Sequence, residues 1–241
     1  MAARTHPEIS IVIPAANEAA ALPECLRRID REGSETIVVD GESEDETRAI
    51  AAAAGCRLLL FSERHRARQM NHGSAQARGR ILLFLHADTW LPPNALAKIR
   101  SAIDEREALG GGFDRRYRSR SLTLALTSRL ASLRNRLLGW HLGDQAIFVR
   151  RDAFERLGGY RDIPIFEDLD FSRRLRRLGG TVTLSPPVSS SARRFRARGP
   201  LRTTWADLLL TRKYLSGIDP NDLCQVPHDR LKALQDYERL S

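Results

Sequence analysis

Lysine is nearly absent from this chain: of 39 basic residues only Lys98, Lys213 and Lys232 are lysines, so the net charge of +9 is carried almost wholly by arginine. A guanidinium is a planar fork that pairs two oxygens at once, which suits phosphate. Nucleic acid, an anionic membrane surface and a phosphorylated small substrate all fit such an excess. Cysteine is equally scarce. Cys25, Cys56 and Cys224 are odd in number and lack metal-type spacing, which excludes a disulfide framework and a zinc site and makes a reducing cytoplasm the expectation. Long apolar runs are missing too. The longest aliphatic and aromatic run, Ile81 to Leu85, is far too short to span a bilayer, and nothing near the N-terminus resembles a secretory leader. A cytoplasmic protein is expected, one that can still rest on the inner face of a membrane. A Gly-rich phosphate loop is the last absence. Residues 14–20 lack G-x-G-x-x-G, which excludes a dinucleotide-binding fold and argues against a nucleotidyltransferase.

What is present reads as an ordinary globular chain, 241 residues long with 42% hydrophobic and 29% charged residues, enough for one α/β domain with a real core. Ile9 to Ile13, closed by Pro14, predicts a buried strand, and Leu22, Leu26 and Ile29 recur at helical spacing. Thr36 to Val39 predicts a second strand, Glu44 to Ala54 a helix, Arg57 to Phe61 a third strand, Arg66 to Arg78 a helix or ordered loop, and Arg80 to Leu85 a fourth strand. This alternation implies βαβ units in a parallel sheet, with ligands beyond the carboxyl ends of the strands. Pro92 and Pro93 mark a new helix start, and Gly110, Gly111 and Gly112 read as a break. Beyond it the pattern is mixed: strands at Gly112 to Tyr117, Gln145 to Val149 and Thr181 to Leu184, and helices at Leu122 to Leu138, Glu167 to Leu178 and Leu201 to Leu215.

Polar residues gather at the expected strand ends. Asp40 precedes Gly41, where a carboxylate can accept hydrogen bonds from a ribose or a base, or cap the next helix. His86-Ala87-Asp88 follows the fourth strand, where Asp88 can hold a hard divalent ion against a diphosphate, or serve as a turn residue. Glu167-Asp168 opens a helix, as a dipole-favoured cap or as a partly buried general base. Two basic groups, Arg64, Arg66 and Arg68 and then Arg193, Arg194 and Arg196, can clamp a diphosphate. The arginines are interleaved with carboxylates and match no nucleic-acid motif, so no nucleic-acid partner is expected. The last expected helix sets Trp205, Leu208, Leu209, Leu210 and Tyr214 beside Arg202, Arg212 and Lys213. Such a stripe meets a lipid interface, the core, or a second copy in a homodimer.

In combination, Ser10-Ile11-Val12-Ile13-Pro14 with Asn17-Glu18, Val39-Asp40-Gly41 with Ser43, Asp45 and Thr47, His86-Ala87-Asp88, Gly143-Asp144-Gln145 and Glu167-Asp168 resemble family 2 glycosyltransferases over roughly residues 8 to 200. The chain looks most like a small bacterial subgroup of unassigned substrate, marked by Arg68-Gln69-Met70-Asn71, Leu85-His86-Ala87-Asp88, Glu167-Asp168 and Arg193-Arg194. The resemblance implies a GT-A type α/β fold: a Rossmann-like nucleotide-binding half over 8–110 with a mixed central sheet, fused within one domain to an acceptor-binding half over 111–217, and a tail over 218–241. It implies a nucleotide-diphosphate sugar as donor, an acceptor of unknown identity, and a divalent metal, Mg or Mn. Pro14, Ala15, Asn17 and Glu18 would line the nucleotide pocket, with Asp40 on the base. Arg68, Asn71, His86, Ala87 and Arg194 would lie on the donor side, Asp88 at the metal, and Asp168, with Glu167 beside it, at the catalytic base.

His86 stands where the D-x-D motif has its first Asp, a position that usually meets the ribose. The Q-x-x-R-W motif of processive members is missing, so polymer synthesis is not expected. The resulting expectation is an inverting hexosyl-type transferase working by single displacement. A nucleotidyltransferase, or a GT-A-like protein that binds nucleotide with little turnover, are the alternatives.

Overall fold

The structure, a computed structural model, describes residues 6–224. Its first half alternates as the sequence predicts: β1 (Ile9–Ala15), α1 (Leu22–Arg27), β2 (Ser34–Gly41), α2 (Thr47–Ala53), β3 (Arg57–Phe61), α3 (Arg66–Gln76) and β4 (Ile81–Phe84). β2 and β4 flank β1, β3 flanks β2, and all four run parallel. Strands covered on both faces have no polar side to show, which is why β4 reads as an unbroken apolar run and β1 as one interrupted only by Ser10, whose buried hydroxyl donates to Glu35.

The second half continues with β5 (Thr89–Trp90), α4 (Ala95–Asp104), β6 (Gly110–Tyr117), α5 (Leu122–Leu138), a 3-10 turn at Gly143–Gln145, β7 (Ile147–Arg150), α6 (Arg151–Arg156), α7 (Glu167–Leu178), β8 (Thr181–Ser190), α8 (Arg193–Arg198), α9 (Pro200–Leu215) and α10 (Pro220–Cys224). All eight strands join one sheet in the order β3-β2-β1-β4-β7-β6-β8-β5. β7 enters antiparallel to both β4 and β6, while β6 and β8 pair in parallel. The mixed sheet with helices on both faces is the α/β architecture that the resemblance implied. One apolar layer packs α1, α2 and α4 on one sheet face, and a second packs α3, α6 and α7 on the other. Gly73 lets α3 lie close on the sheet, because a Cβ there would meet Val12 Cγ1 at 2.5 Å.

The three glycines expected to break the pattern instead lie inside β6. Side chains at Gly110 and Gly111 would run into the backbone of β7 and β8, so this strand is admitted between its neighbours because it lacks them. The sheet therefore runs unbroken across the expected 110/111 boundary. The short strand expected at Thr181 to Leu184 extends to Ser190, through Pro186 and Pro187 and a shift in register opposite Phe113 to Arg115. Of the expected tail, α10 occupies Pro220–Cys224, and residues 225–241 lie outside the described residues. Among the described residues no helix is long and apolar enough to cross a membrane.

Candidate active site

The carboxyl ends of β1, β2 and β4 lie side by side, with Ala15 in register with Asp40. After β1 the chain turns through Asn17, whose φ of 55° is a left-handed conformation that asparagine tolerates better than most residues. The next loop holds this turn. The Asn17 N–H donates to Ser43 Oγ at 2.9 Å, the Glu18 N–H to Thr47 Oγ1 at 2.8 Å and the Ala19 N–H to Asp45 Oδ2 at 3.0 Å, while Asn17 Oδ1 accepts the Glu44 N–H at 2.8 Å. The motif residues Ser43, Asp45 and Thr47 thus shape the turn that begins with Pro14 and Ala15. Asp40 is fully buried at the end of β2. Its Oδ2 accepts from the Ser43 N–H and from Arg48 Nε at 2.6 Å, and its Oδ1 has no partner among the described residues.

The marker Arg68-Gln69-Met70-Asn71 proves to be largely architectural. Gln69 Nε2 donates to the carbonyls of Ala15 and Val39, tying α3 to the ends of two strands. Asn71 clamps the backbone of Tyr160, donating to its carbonyl at 2.8 Å and accepting its N–H at 2.9 Å. Arg68 forks onto Asp162 at 2.7 and 2.8 Å and reaches Glu63. Arg68 and Asn71, which the resemblance set on the donor side, are thus engaged by Asp162 and Glu63 and by the Tyr160 backbone. Arg66, two residues before Arg68, is itself exposed but reaches the buried Glu167 at 3.3 Å.

His86, Ala87 and Asp88 leave β4 in a turn closed by the Thr89 N–H on the His86 carbonyl. Asp88 Oδ2 lies 3.4 Å from Arg193 Nη2, which also holds both oxygens of Glu18, at 3.0 and 2.9 Å. Burial raises the Glu18 carboxyl above its ordinary range; Arg193 opposes the rise, Asp88 adds to it, and Arg66 opposes it. Arg194, the arginine expected to assist the diphosphate, turns instead to Asp207. Its neighbour Arg193 reaches the acids at the strand ends. Nothing in the sequence separates the two arginines; the direction in which α8 starts decides.

At the other edge, α7 begins after Phe166, whose φ of 65° is uncommon for a bulky residue. Asp168 Oδ2 accepts the Gly143 N–H at 2.6 Å and its Oδ1 accepts the Leu169 N–H at 2.6 Å. Burial and then the charge of Glu167 push the Asp168 carboxyl up to about 7, against the Gly143 N–H, Arg66 and the Leu169 N–H. Gly143 brings the two edges together. A side chain on it would strike the His86 ring and come 3.3 Å from Asp168 Oδ2. Burial, and then Arg66, push His86 down to about 3, so the imidazole is neutral at pH 7. Its Nε2 is buried without a partner among the described residues. The 3-10 turn carrying Gly143 is held by Gln145, which accepts the Leu142 N–H and donates to the Phe113 carbonyl, and by Asp144, paired with Arg115 at 2.7 Å. Sequence reasoning placed Arg66 and Arg193 in basic groups and Gly143 in a motif, but did not assign the contacts they make here. An open cavity of about 440 Å³ lies along α7, lined by Arg161, Asp170, Arg173, Arg177 and Tyr214 among others, and includes none of these donor-side residues.

Residues 10–158 match the sequence profile of the family described as Glycosyl transferase family 2. The chain belongs to the family 2 glycosyltransferases. It is 35% identical over 195 residues to a PGL/p-HBAD biosynthesis glycosyltransferase of Mycobacterium tuberculosis, covering 70% of this chain and 69% of that one. Among solved structures it resembles S. aureus TarS 1-349 in complex with UDP-GlcNAc, with a TM-score of 0.63 and 16% identity over 77% of this chain and 59% of that one. It also resembles the mannosyltransferase PcManGT from Pyrobaculum calidifontis in complex with GDP-Man and Mn2+, with a TM-score of 0.62 and 22% identity over 90% of this chain and 67% of that one.

Proposed function

We propose that this glycosyltransferase takes a nucleotide-diphosphate sugar as donor and transfers the sugar to an acceptor hydroxyl with inversion, Asp168 acting as base. The observation that carries this reading is the Gly143 contact, which sets a half-buried carboxyl poised near 7 beside His86, two residues from Asp88. A base poised near neutral pH is ionised often enough to accept a proton and basic enough to hold it. In the reaction, the acceptor oxygen forms a bond to the anomeric carbon as its proton passes to Asp168, and the bond from that carbon to the diphosphate oxygen breaks. Inversion follows from attack opposite the leaving group. The charge of Glu167, which is buried and paired with Arg66, raises the neighbouring Asp168 carboxyl and so adds to its basicity.

On the donor side, the turn from Pro14 to Glu18 and the unpartnered Asp40 Oδ1 offer a polar rim for the nucleoside. Arg193, held here by Glu18 and Asp88, is placed to exchange those carboxylates for diphosphate oxygens. Among the described residues no group of three or more His, Cys, Asp or Glu is placed to hold a metal ion. The donor set nonetheless fits Mg2+ or Mn2+ of the kind that takes one carboxylate, here Asp88, and completes its shell from diphosphate and water. Such an ion supplies positive charge against the leaving diphosphate. The neighbours solved with UDP-GlcNAc and with GDP-Man and Mn2+ support this donor class.

A thermal-shift panel of nucleoside diphosphates and nucleotide sugars, with and without Mn2+ or Mg2+, tests the reading, because a ligand that binds only the folded state raises Tm. One nucleotide family should stabilise the protein more with the metal than without it, and Asp88→Asn should abolish the metal increment. A panel without any stabilising nucleotide contradicts the proposal.

A further inference from the structure

Helix α5 has two apolar faces. Leu124, Ser128, Ala131 and Asn135 are buried against the body of the protein. Leu122, Leu126, Leu130, Leu133 and Leu137 are 54 to 86% exposed. At about 100° per residue these five leucines fall within about 80° of arc, nearly opposite the packed face. α9 lies against α5 and repeats the pattern, with Leu201, Trp205, Leu208 and Leu215 exposed along one side. Among the described residues, two neighbouring helices therefore present leucine stripes that nothing covers.

The charge around the stripes has one sign. Residues 115–143 carry seven arginines and no acid, of which Arg115 and Arg136 pair with Asp144 and Asp114 just outside that stretch. Residues 193–215 carry seven basic residues, of which Arg193 pairs with Glu18 and Asp88 and Arg194 with Asp207, the one acid within either stretch. Arg129 on α5 and Arg202 and Arg212 on α9 are exposed. A second copy of this face would set arginine against arginine with almost no carboxylate in reply. A surface of anionic headgroups above hydrocarbon answers both features, since the leucines enter the acyl boundary and the guanidinium groups meet phosphate.

We propose that α5 and α9 together form a docking surface for an anionic lipid bilayer. α8, which carries Arg193 onto Asp88, runs into α9 with only Gly199 between them, so the docked face and the donor side share one continuous segment. The proposal stands on exposed side chains and does not depend on the transferase chemistry.

Cosedimentation of the full chain with vesicles in equal parts phosphatidylcholine and phosphatidylglycerol, against phosphatidylcholine alone, reads it directly. Partitioning onto the anionic vesicles should exceed that onto neutral ones by about tenfold or more and fall as salt is raised. The triple variant Leu126→Gln, Leu130→Gln, Leu133→Gln removes no buried side chain, and its circular dichroism and Tm should match the parent's. It should lose on the order of tenfold or more of the lipid binding. The proposal is overturned if the parent shows no preference for anionic vesicles, or if the triple variant binds them as well as the parent does. It is also overturned if sedimentation equilibrium finds a dimer that the triple variant splits, since a second copy would then cover this face.

Discussion

Asp168→Asn should make the protein more stable at neutral pH than at acid pH relative to the parent, while removing the proposed base. A carboxyl held at about 7 instead of its ordinary 3.8 weakens the folded state by on the order of 4 kcal/mol once both forms are ionised, if the whole displacement acts on folding. Asp168 keeps some contact with water and interacts with Glu167, so about half of that, ~2 kcal/mol, is the working figure. The native value is the raised one, so the penalty is absent below the unfolded value, grows as pH climbs, and levels off above the native value. Asparagine carries no such dependence. It cannot accept both the Gly143 and the Leu169 N–H, which subtracts a constant, so the pH dependence of the difference carries the information and its absolute size does not. Urea unfolding of both proteins from about pH 4.5 to about pH 8 should show the stability difference moving in favour of the variant by ~2 kcal/mol. A difference that stays flat across this range refutes the claim that burial holds this carboxyl high.

The pH profile of kcat/KM should rise along an acid limb with an apparent pKa of about 7, and Asp168→Asn should lower kcat on the order of a hundredfold or more, as steady-state kinetics on a matched donor and acceptor would show. Arg193→Gln should weaken nucleoside diphosphate binding by about tenfold, one charge-assisted pair's worth, whereas Arg194→Gln should leave it nearly unchanged; calorimetric titration separates the two. Gly143→Ala should displace the His86 ring and impair turnover more than donor binding, a split visible in kcat against Kd. Asn71→Ala should lower stability by about 2 kcal/mol, because it leaves two groups of the Tyr160 backbone without partners, and thermal unfolding would register it.

Much of this architecture was legible in the sequence wherever one residue pattern answers to one physical demand. β1 and β4 are covered on both faces, so apolar residues fill them apart from Ser10, whose hydroxyl is hydrogen-bonded to Glu35 and the Gly79 N–H. α5 and α7 span Leu122–Leu138 and Glu167–Leu178 as expected, because a serine cap and an acidic first turn, respectively, mark where they start. The failures occur where a neighbour distant in sequence sets the demand. Glycine at 110 to 112 ordinarily interrupts a strand, yet β6 needs it because β7 and β8 leave no room for side chains at 110 and 111, and His141 leaves none at 112. Prolines 186 and 187 suggest an end to β8, but the register shift opposite β6 carries the strand through. In the site, Asp88 and Asp168 stood out because acids at strand and helix ends carry local signatures. Arg66 and Arg193 did not, since each sits in a run of arginines and only the helix direction decides which one meets a carboxylate. The role of Gly143 was hidden for the same reason, because its small size matters only once His86 and Asp168 arrive from two other elements.

The central claim is that Asp88 and Asp168 serve one cleft, the first at the diphosphate and the second at the acceptor. Crystals grown with Mn2+ and the nucleoside diphosphate that most raises Tm test it most directly. Anomalous scattering from the metal should appear at Asp88, with a phosphate held by Arg193 and open space between that phosphate and Asp168. Metal and nucleotide bound elsewhere, or a diphosphate whose approach to Asp168 is blocked by protein, would contradict the account.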